Sequence, residues 1–199
     1  MIEIVGRTMR LVFQRPSVVS TASTVDPAAS PLIDFSAWAE DCRLFGTLAL
    51  DGDRLGDMLN LFEELVLIDV RAQGLGGGPI SEIPELAISR DDILIAEASG
   101  PRGDPARRRH MQAVPITVYL GDFRVRGDIH VSPGADPVGA MSRRAPMIAL
   151  TDAQVTYRDS VERLSGTADA TVLFNRHLLT RVDVAGSYSP RVDNQSGAA

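Results

Sequence analysis

Lysine is missing from the 199 residues, and all 20 basic side chains are arginine. That absence removes Schiff-base chemistry, an amine nucleophile and the lysine of a phosphate-binding loop together. A single cysteine, Cys42, excludes an internal disulfide and a multi-cysteine zinc site, favours a reducing compartment, and reads as a small core residue. Aromatic residues make up only 5% of the chain, which leaves few rings on which bases can stack. No stretch approaches the roughly 18 consecutive apolar residues of a membrane span. Residues 1–13 carry Glu3 and further polar interruptions where a signal peptide needs a continuous apolar run. The expectation is a bacterial-type cytoplasmic protein with no membrane span. What is present is 44% hydrophobic and 23% charged residues with a formal net charge of -6, the profile of a globular chain. The acidic balance opposes broad attraction to phosphate backbones, so nucleic acid is an unlikely partner.

Composition divides the chain into parts. Residues 1–32 hold a strand-forming segment, Arg10 to Gln14, followed by a Pro/Ser/Thr/Ala-rich linker over 16–31. Residues 33–100 and 114–186 are the ordered stretches. Between them, 101–113 reads as a second linker with prolines and an arginine run, and 187–199 as a disordered tail.

The two ordered stretches resemble each other, as in a tandem repeat. At an offset of 81, Trp38 meets Tyr119, Asp41 meets Asp122, Arg43 meets Arg124 and Gly46 meets Gly127. At 83, Gly56 meets Gly139, Met58 meets Met141, Leu67 meets Leu150 and Asp69 meets Asp152. At 86, Arg90 meets Arg176 and Gly100 meets Gly186. Hydrophobic positions agree in the same order. Phe123, Val125, Gly127, Ile129 and Val131 alternate with Arg124, Arg126, Asp128 and His130, the period of a half-buried strand. Further strands are expected around Leu65 to Asp69, Met147 to Asp152, Leu86 to Ile88, Ile93 to Ala96, Val172 to Phe174 and Leu178 to Val184. Apolar residues at 55, 58, 59 and 62 predict a short helix. Pro137 to Ala145 holds the same place in the second unit, with Asp136 as its N-cap.

F45-G46-T47-L48, then D57-M58-L59-N60 and L65-V66-L67-I68-D69, resembles the first motif of the Sm-like small β-barrels. I88-S89-R90-D91-D92-I93 and F174-N175-R176-H177-L178 echo the second motif. R126-G127-D128-I129-H130-V131 to Pro133, with Leu150 to Val155, is similar to a bacterial domain of unknown function. The resemblance implies a mainly β fold of two tandem small SH3-like (Sm-like) barrels, each with a short helix. It also implies a base-contacting role for Asn60 under an RNA-binding reading. Four extra residues follow Asn60, Asp91 replaces a glycine, Leu59 offers no ring, and the second unit has Arg143 in place of Asn60.

No grouping of residues predicts catalysis, a cofactor or a metal. Gly74 to Gly78 is followed by Pro79 and strand-like residues rather than by a helix, and so reads as a loop. His110, His130 and His177 lack the i, i+4 spacing of paired ligands. Ser165 has no marked base, and Asp51, Asp53 and Asp57 lack the glycine and glutamate of a calcium loop. Gly46 and Gly127 are expected at bends, and Asp69 and Asp152 as structural acceptors at strand ends. Arg107, Arg108, Arg109, Arg143 and Arg144, with Arg90 and Arg176, are the phosphate contacts available to the alternative reading.

Small barrels have open edges that proteins must pair or cover. The expected function is therefore a non-enzymatic protein-interaction or assembly module, binding a protein partner or itself through edge strands. The alternatives are an Sm-like RNA-binding protein and a small-ligand sensor.

Overall fold

The computed structural model describes residues 30–97, 99–101, 110–158 and 171–185. The expected Arg10 to Gln14 strand, the 102–109 arginine segment and the tail after 185 lie outside them. The described chain is mainly β. The first half runs β1 (Leu32–Trp38), β2 (Cys42–Ala49), α1 (Leu55–Leu61), β3 (Glu64–Gly74), β4 (Ile80–Ser89), a 3-10 turn (Arg90–Asp92) and β5 (Ile95–Glu97). The second half runs β6 (Gln112–Leu120), β7 (Phe123–Val131), α2 (Pro137–Ser142), β8 (Met147–Tyr157), β9 (Val172–Asn175), a 3-10 turn (Arg176–Leu178) and β10 (Arg181–Val184). The order of element types is the same in both. β6 begins inside the stretch read as a linker.

Local chemistry explains these elements. In β7 the odd-numbered positions from Phe123 to Val131 are all buried while the intervening residues face outward, as the two-residue period requires. Asp136 caps α2 by accepting from the backbone N–H of Val138 and Gly139, and Pro137 begins the helix. α1 buries Leu55, Met58 and Leu59 on one face, and the extended backbone of Phe62 ends it.

Matching bulges bend the two halves. The β2–β3 register shifts between Phe45 and Thr47, so Gly46 lies against the extra residue of β3; β7–β8 shifts between Arg126 and Asp128, around Gly127. Asp69 and Asp152 adopt left-handed φ values of 53° and 51° beside these shifts. Glycine permits the close approach. A Cβ on Gly46 would stand 3.0 Å from the Ile68 carbonyl oxygen, and one on Gly127 would stand 2.9 Å from that of Thr151.

The strand order is β10-β6-β7-β8-β9-β5-β1-β2-β3-β4, antiparallel throughout. Where two barrels were expected, the sheet is continuous across both halves and does not close on itself. The cause is the pairing of β5 with β9, which joins the halves edge to edge and leaves β4 and β10 as the ends. Two cores lie along this sheet, and each borrows from the other half. Met147 and Leu173 pack into the first core, and Trp38, Leu94 and Ile95 into the second.

Candidate functional site at the seam and the open edges

The seam between the halves begins with a short ladder in which Ile95 faces Phe174, Ala96 faces Leu173 and Glu97 faces Val172. The Asn175 N–H donates to the Leu94 carbonyl at 2.9 Å. The fully buried Asn175 side chain accepts from the His177 N–H and donates to the Arg90 carbonyl, so each amide end has a partner. α1 closes the seam from one side. Asn60 donates to the Met147 carbonyl at 2.9 Å and accepts from the Met147 N–H at 2.8 Å, a two-point clamp on β8. Gly56 lets the helix approach β9, since a Cβ there would lie 3.2 Å from the Leu173 side chain.

The two ends of the sheet differ in charge. β4 carries Pro84, which a strand accommodates at an edge, and exposes Glu82 and Glu85. Glu63 and Glu64, at the start of β3, are exposed beside it. At the other end, Arg181 lies 4.3 Å over the Tyr119 ring and pairs with Asp183. That guanidinium, helped by the Tyr119 hydroxyl, holds the Asp183 carboxyl below its usual range despite partial desolvation. Charged tips and proline are the devices by which exposed strands avoid indiscriminate pairing.

The residues named for a phosphate surface do not form one patch. Asn60 is occupied at the seam. Arg90 is buried, with its N–H bonded to the Glu63 carbonyl and its Nε on Asp91. Arg176 occupies the equivalent start of the second 3-10 turn, with its N–H on the Pro146 carbonyl. Arg144 is half-buried, donates to the His130 carbonyl, and has its pKa lowered by that burial. Arg143 is exposed after α2, and Arg107, Arg108 and Arg109 lie outside the described residues.

Gly46 and Gly127 sit in the two bulges. Asp69 and Asp152 stand beside these bulges in the left-handed backbone conformation. Gly74 to Gly78 ends β3 and forms the turn into β4, with Gly77 and Gly78 at positive φ. Among the described residues, no group of three His, Cys, Asp or Glu side chains is placed to hold a metal ion, and no helix is long and apolar enough to cross a membrane. The Cys42 thiol is pushed up to about 12, first by burial and then by the charge and hydrogen bond of Asp41, which makes it a poor nucleophile at neutral pH.

A shallow groove of about 380 Å³ crosses β1, β2 and β3, with Asp34, Ser36, Thr47, Asp69, Arg71 and Glu97 in its lining. Beside it the Arg43 guanidinium stacks on Trp38 at 4.5 Å and Phe45 at 4.4 Å and reaches Glu97 at 3.6 Å. Within this arrangement Arg43 and Glu97 pair with each other. No family model, curated protein or solved structure matches the chain.

The pairing of β5 with β9 and the Asn60 clamp are what sequence reasoning missed. A signal for the first was present. Ile93 to Ala96 and Val172 to Phe174 are uninterrupted apolar runs, as in strands covered on both sides, whereas Arg181 to Val184 alternates polar and apolar. Nothing in one sequence marks Asn60 as a clamp, because its partner is a backbone 87 positions away.

Proposed function

We propose that the protein is a non-enzymatic interaction or assembly module. It is built from two duplicated units of Sm-like or SH3-like strand order, and it takes up a protein strand at β4 or β10. The observation that carries this reading is the open sheet: β4 pairs only with β3 and β10 only with β6 among the described residues. Backbone N–H and C=O groups that face outward along an edge such as β4 are a template for strand addition. Support for duplication comes from the shared element order and from the bulges, where Gly46 with Asp69 and Gly127 with Asp152 hold equivalent places.

The test is binding by edge-blocked variants. Ala87→Pro on β4 removes one edge N–H at an exposed position, and Val182→Pro removes one on β10, where the side chain packs against the second core. A partner recovered with the native chain should be lost from one variant while circular dichroism stays native. Partners retained by both folded variants would refute the reading.

A further inference from the structure

Leu44, Leu48, Leu65 and Leu67 turn into the first core, and the residues alternating with them form the opposite face of β1 to β4. That face is patterned in rungs across the strands. In one rung Leu32 lies opposite Ala49 and Val66 opposite Ala87, with Ala49 and Val66 one residue beyond the Leu48–Leu67 pair; none of the four is charged. In the next, Asp34 lies opposite Thr47, Thr47 opposite Ile68 and Ile68 opposite Glu85. Leu32 is 63% exposed, Val66 47% and Ile68 39%, and Ala87 is exposed beside them. Together they form an aliphatic band four strands wide, about 14 Å at the usual strand spacing. A carboxylate stands near each end of it, Asp34 on β1 and Glu85 on β4. The groove described above adjoins the band and adds Asp69. Contiguous exposed apolar surface marks an interaction site, and its acidic margins call for a segment with an apolar centre and basic ends.

This chain contains such a segment. Residues 4–25 hold three arginines and no acidic residue. Every second residue from 7 to 15 reads Arg7, Met9, Leu11, Phe13 and Arg15, an apolar run with an arginine at each end. Extended, Met9 to Phe13 would measure about 13 Å, the width of the band. Residues 16–31 lead directly to Leu32, itself in the band. A stretch of that length spans up to about 50 Å, so reach is not limiting, and a tether of this kind supplies an effective concentration on the order of millimolar.

We infer that residues 7–15 dock in cis on this face, Met9, Leu11 and Phe13 on the aliphatic band and Arg7 and Arg15 at the carboxylates of Asp34, Asp69 and Glu85. Arginine suits both parts of the surface, because its stem covers aliphatic area while its planar head pairs with a carboxylate. The contact lies on the face of the sheet and uses no edge hydrogen bond, so it is independent of the edge-binding reading. A partner carrying the same pattern has to displace the tethered segment before it can occupy the face.

Full-length Leu11→Cys/Val66→Cys tests the contact by disulfide formation in dilute, mildly oxidising solution. Cys42, its thiol pKa pushed up to about 12, supplies little background. The control pairs Leu11→Cys with Leu61→Cys, which is 72% exposed on α1 rather than on the sheet. An intramolecular disulfide should form at least about tenfold faster at position 66 than at 61. Arg7→Glu with Arg15→Glu should slow it by about fivefold in low salt, and Asp34→Arg with Glu85→Arg in the same chain should restore most of the rate. Val66, Asp34 and Glu85 are exposed, so native circular dichroism is expected; Ile68→Cys supplies a second position on the band if the Val66 variant loses it. Equal rates at 66 and 61 would mean an undirected tether and overturn the inference. A disulfide-linked dimer as the main product would place the segment on a second copy, and no disulfide at 66 or 68 would leave the face to another protein; either result overturns docking in cis. A rate indifferent to charge reversal would overturn the placement of the arginines.

Discussion

Adding one methyl group at Gly127 tests the bend of the second half most directly. The new Cβ in Gly127→Ala would stand 2.9 Å from the Thr151 carbonyl oxygen, 3.1 Å from the Ala153 Cα and 3.1 Å from the Leu150 Cβ. Two of the three atoms are backbone, and the third is fixed directly to it, so no rotamer change relieves the clash. Overpacking of this kind costs about 1–3 kcal/mol, offset by about 0.4–1 kcal/mol because alanine restricts the unfolded chain. The net is a loss of about 1–2 kcal/mol, which at about 2–4 °C per kcal/mol for a chain of this size lowers the melting temperature by about 2–8 °C. Gly46→Ala should cost less. Its one tight backbone contact is 3.0 Å to the Ile68 carbonyl oxygen, and the next atom, a Val70 methyl at 3.3 Å, can yield. Calorimetry of both variants reads the difference. A melting temperature unchanged at Gly127→Ala, or a larger loss at Gly46→Ala, would refute the bulge geometry.

Asp152→Gly should leave stability within about 0.5 kcal/mol, since relief of the left-handed φ offsets the entropy of glycine, whereas Asp152→Val should cost about 1–2 kcal/mol in denaturant titration. Asn60→Ala should cost about 1–3 kcal/mol by stripping the Met147 N–H and C=O of their partner, and a midpoint equal to that of the native chain would remove the clamp. At pH 8, Cys42 should alkylate at least about a hundredfold more slowly than a free thiol, because a pKa of about 12 leaves about a thousandfold less thiolate than the ordinary 9.0. The folded thiol holds its proton more tightly than the unfolded one. Its contribution to stability is therefore full below pH 9 and is lost as pH rises from there towards about 12, a loss that Cys42→Ala should abolish.

The periodic elements were legible. Alternation from Phe123 to Val131, the i, i+3, i+4 spacing of Leu55, Met58 and Leu59, and the Asp136-Pro137 start signal are local, and each is found where chain chemistry places it. Strand pairing is not local, and whether an edge closes on its own unit or on its neighbour is decided by surfaces far apart in sequence. That is why two barrels were expected and one open sheet is found. Asp69 and Asp152 show a subtler gap. Their recurrence is visible in the sequence, but the left-handed backbone that both adopt, which aspartate tolerates better than most residues, is not. Arg90 and Asn60 read as contacts for a ligand because polar side chains are usually outside. Both are held by partners that only the fold brings near.

The two halves share what the bend requires and differ in what the edges require. Positions inside a bulge are kept in kind: glycine at 46 and 127, aspartate at 69 and 152. Positions at a joined or free edge diverge in kind, with Leu55 against Val138, Asn60 against Arg143, and Ile95 against Arg181. In each of these three pairs the seam residue is the more covered one and its counterpart the more exposed. A free edge that kept Ile95 and Leu55 would expose an unbroken apolar strand and helix face and pair without discrimination. Glu82 and Glu85 at one end and the paired Arg181 and Asp183 at the other place charge on both terminal strands, the device by which exposed strands avoid indiscriminate pairing.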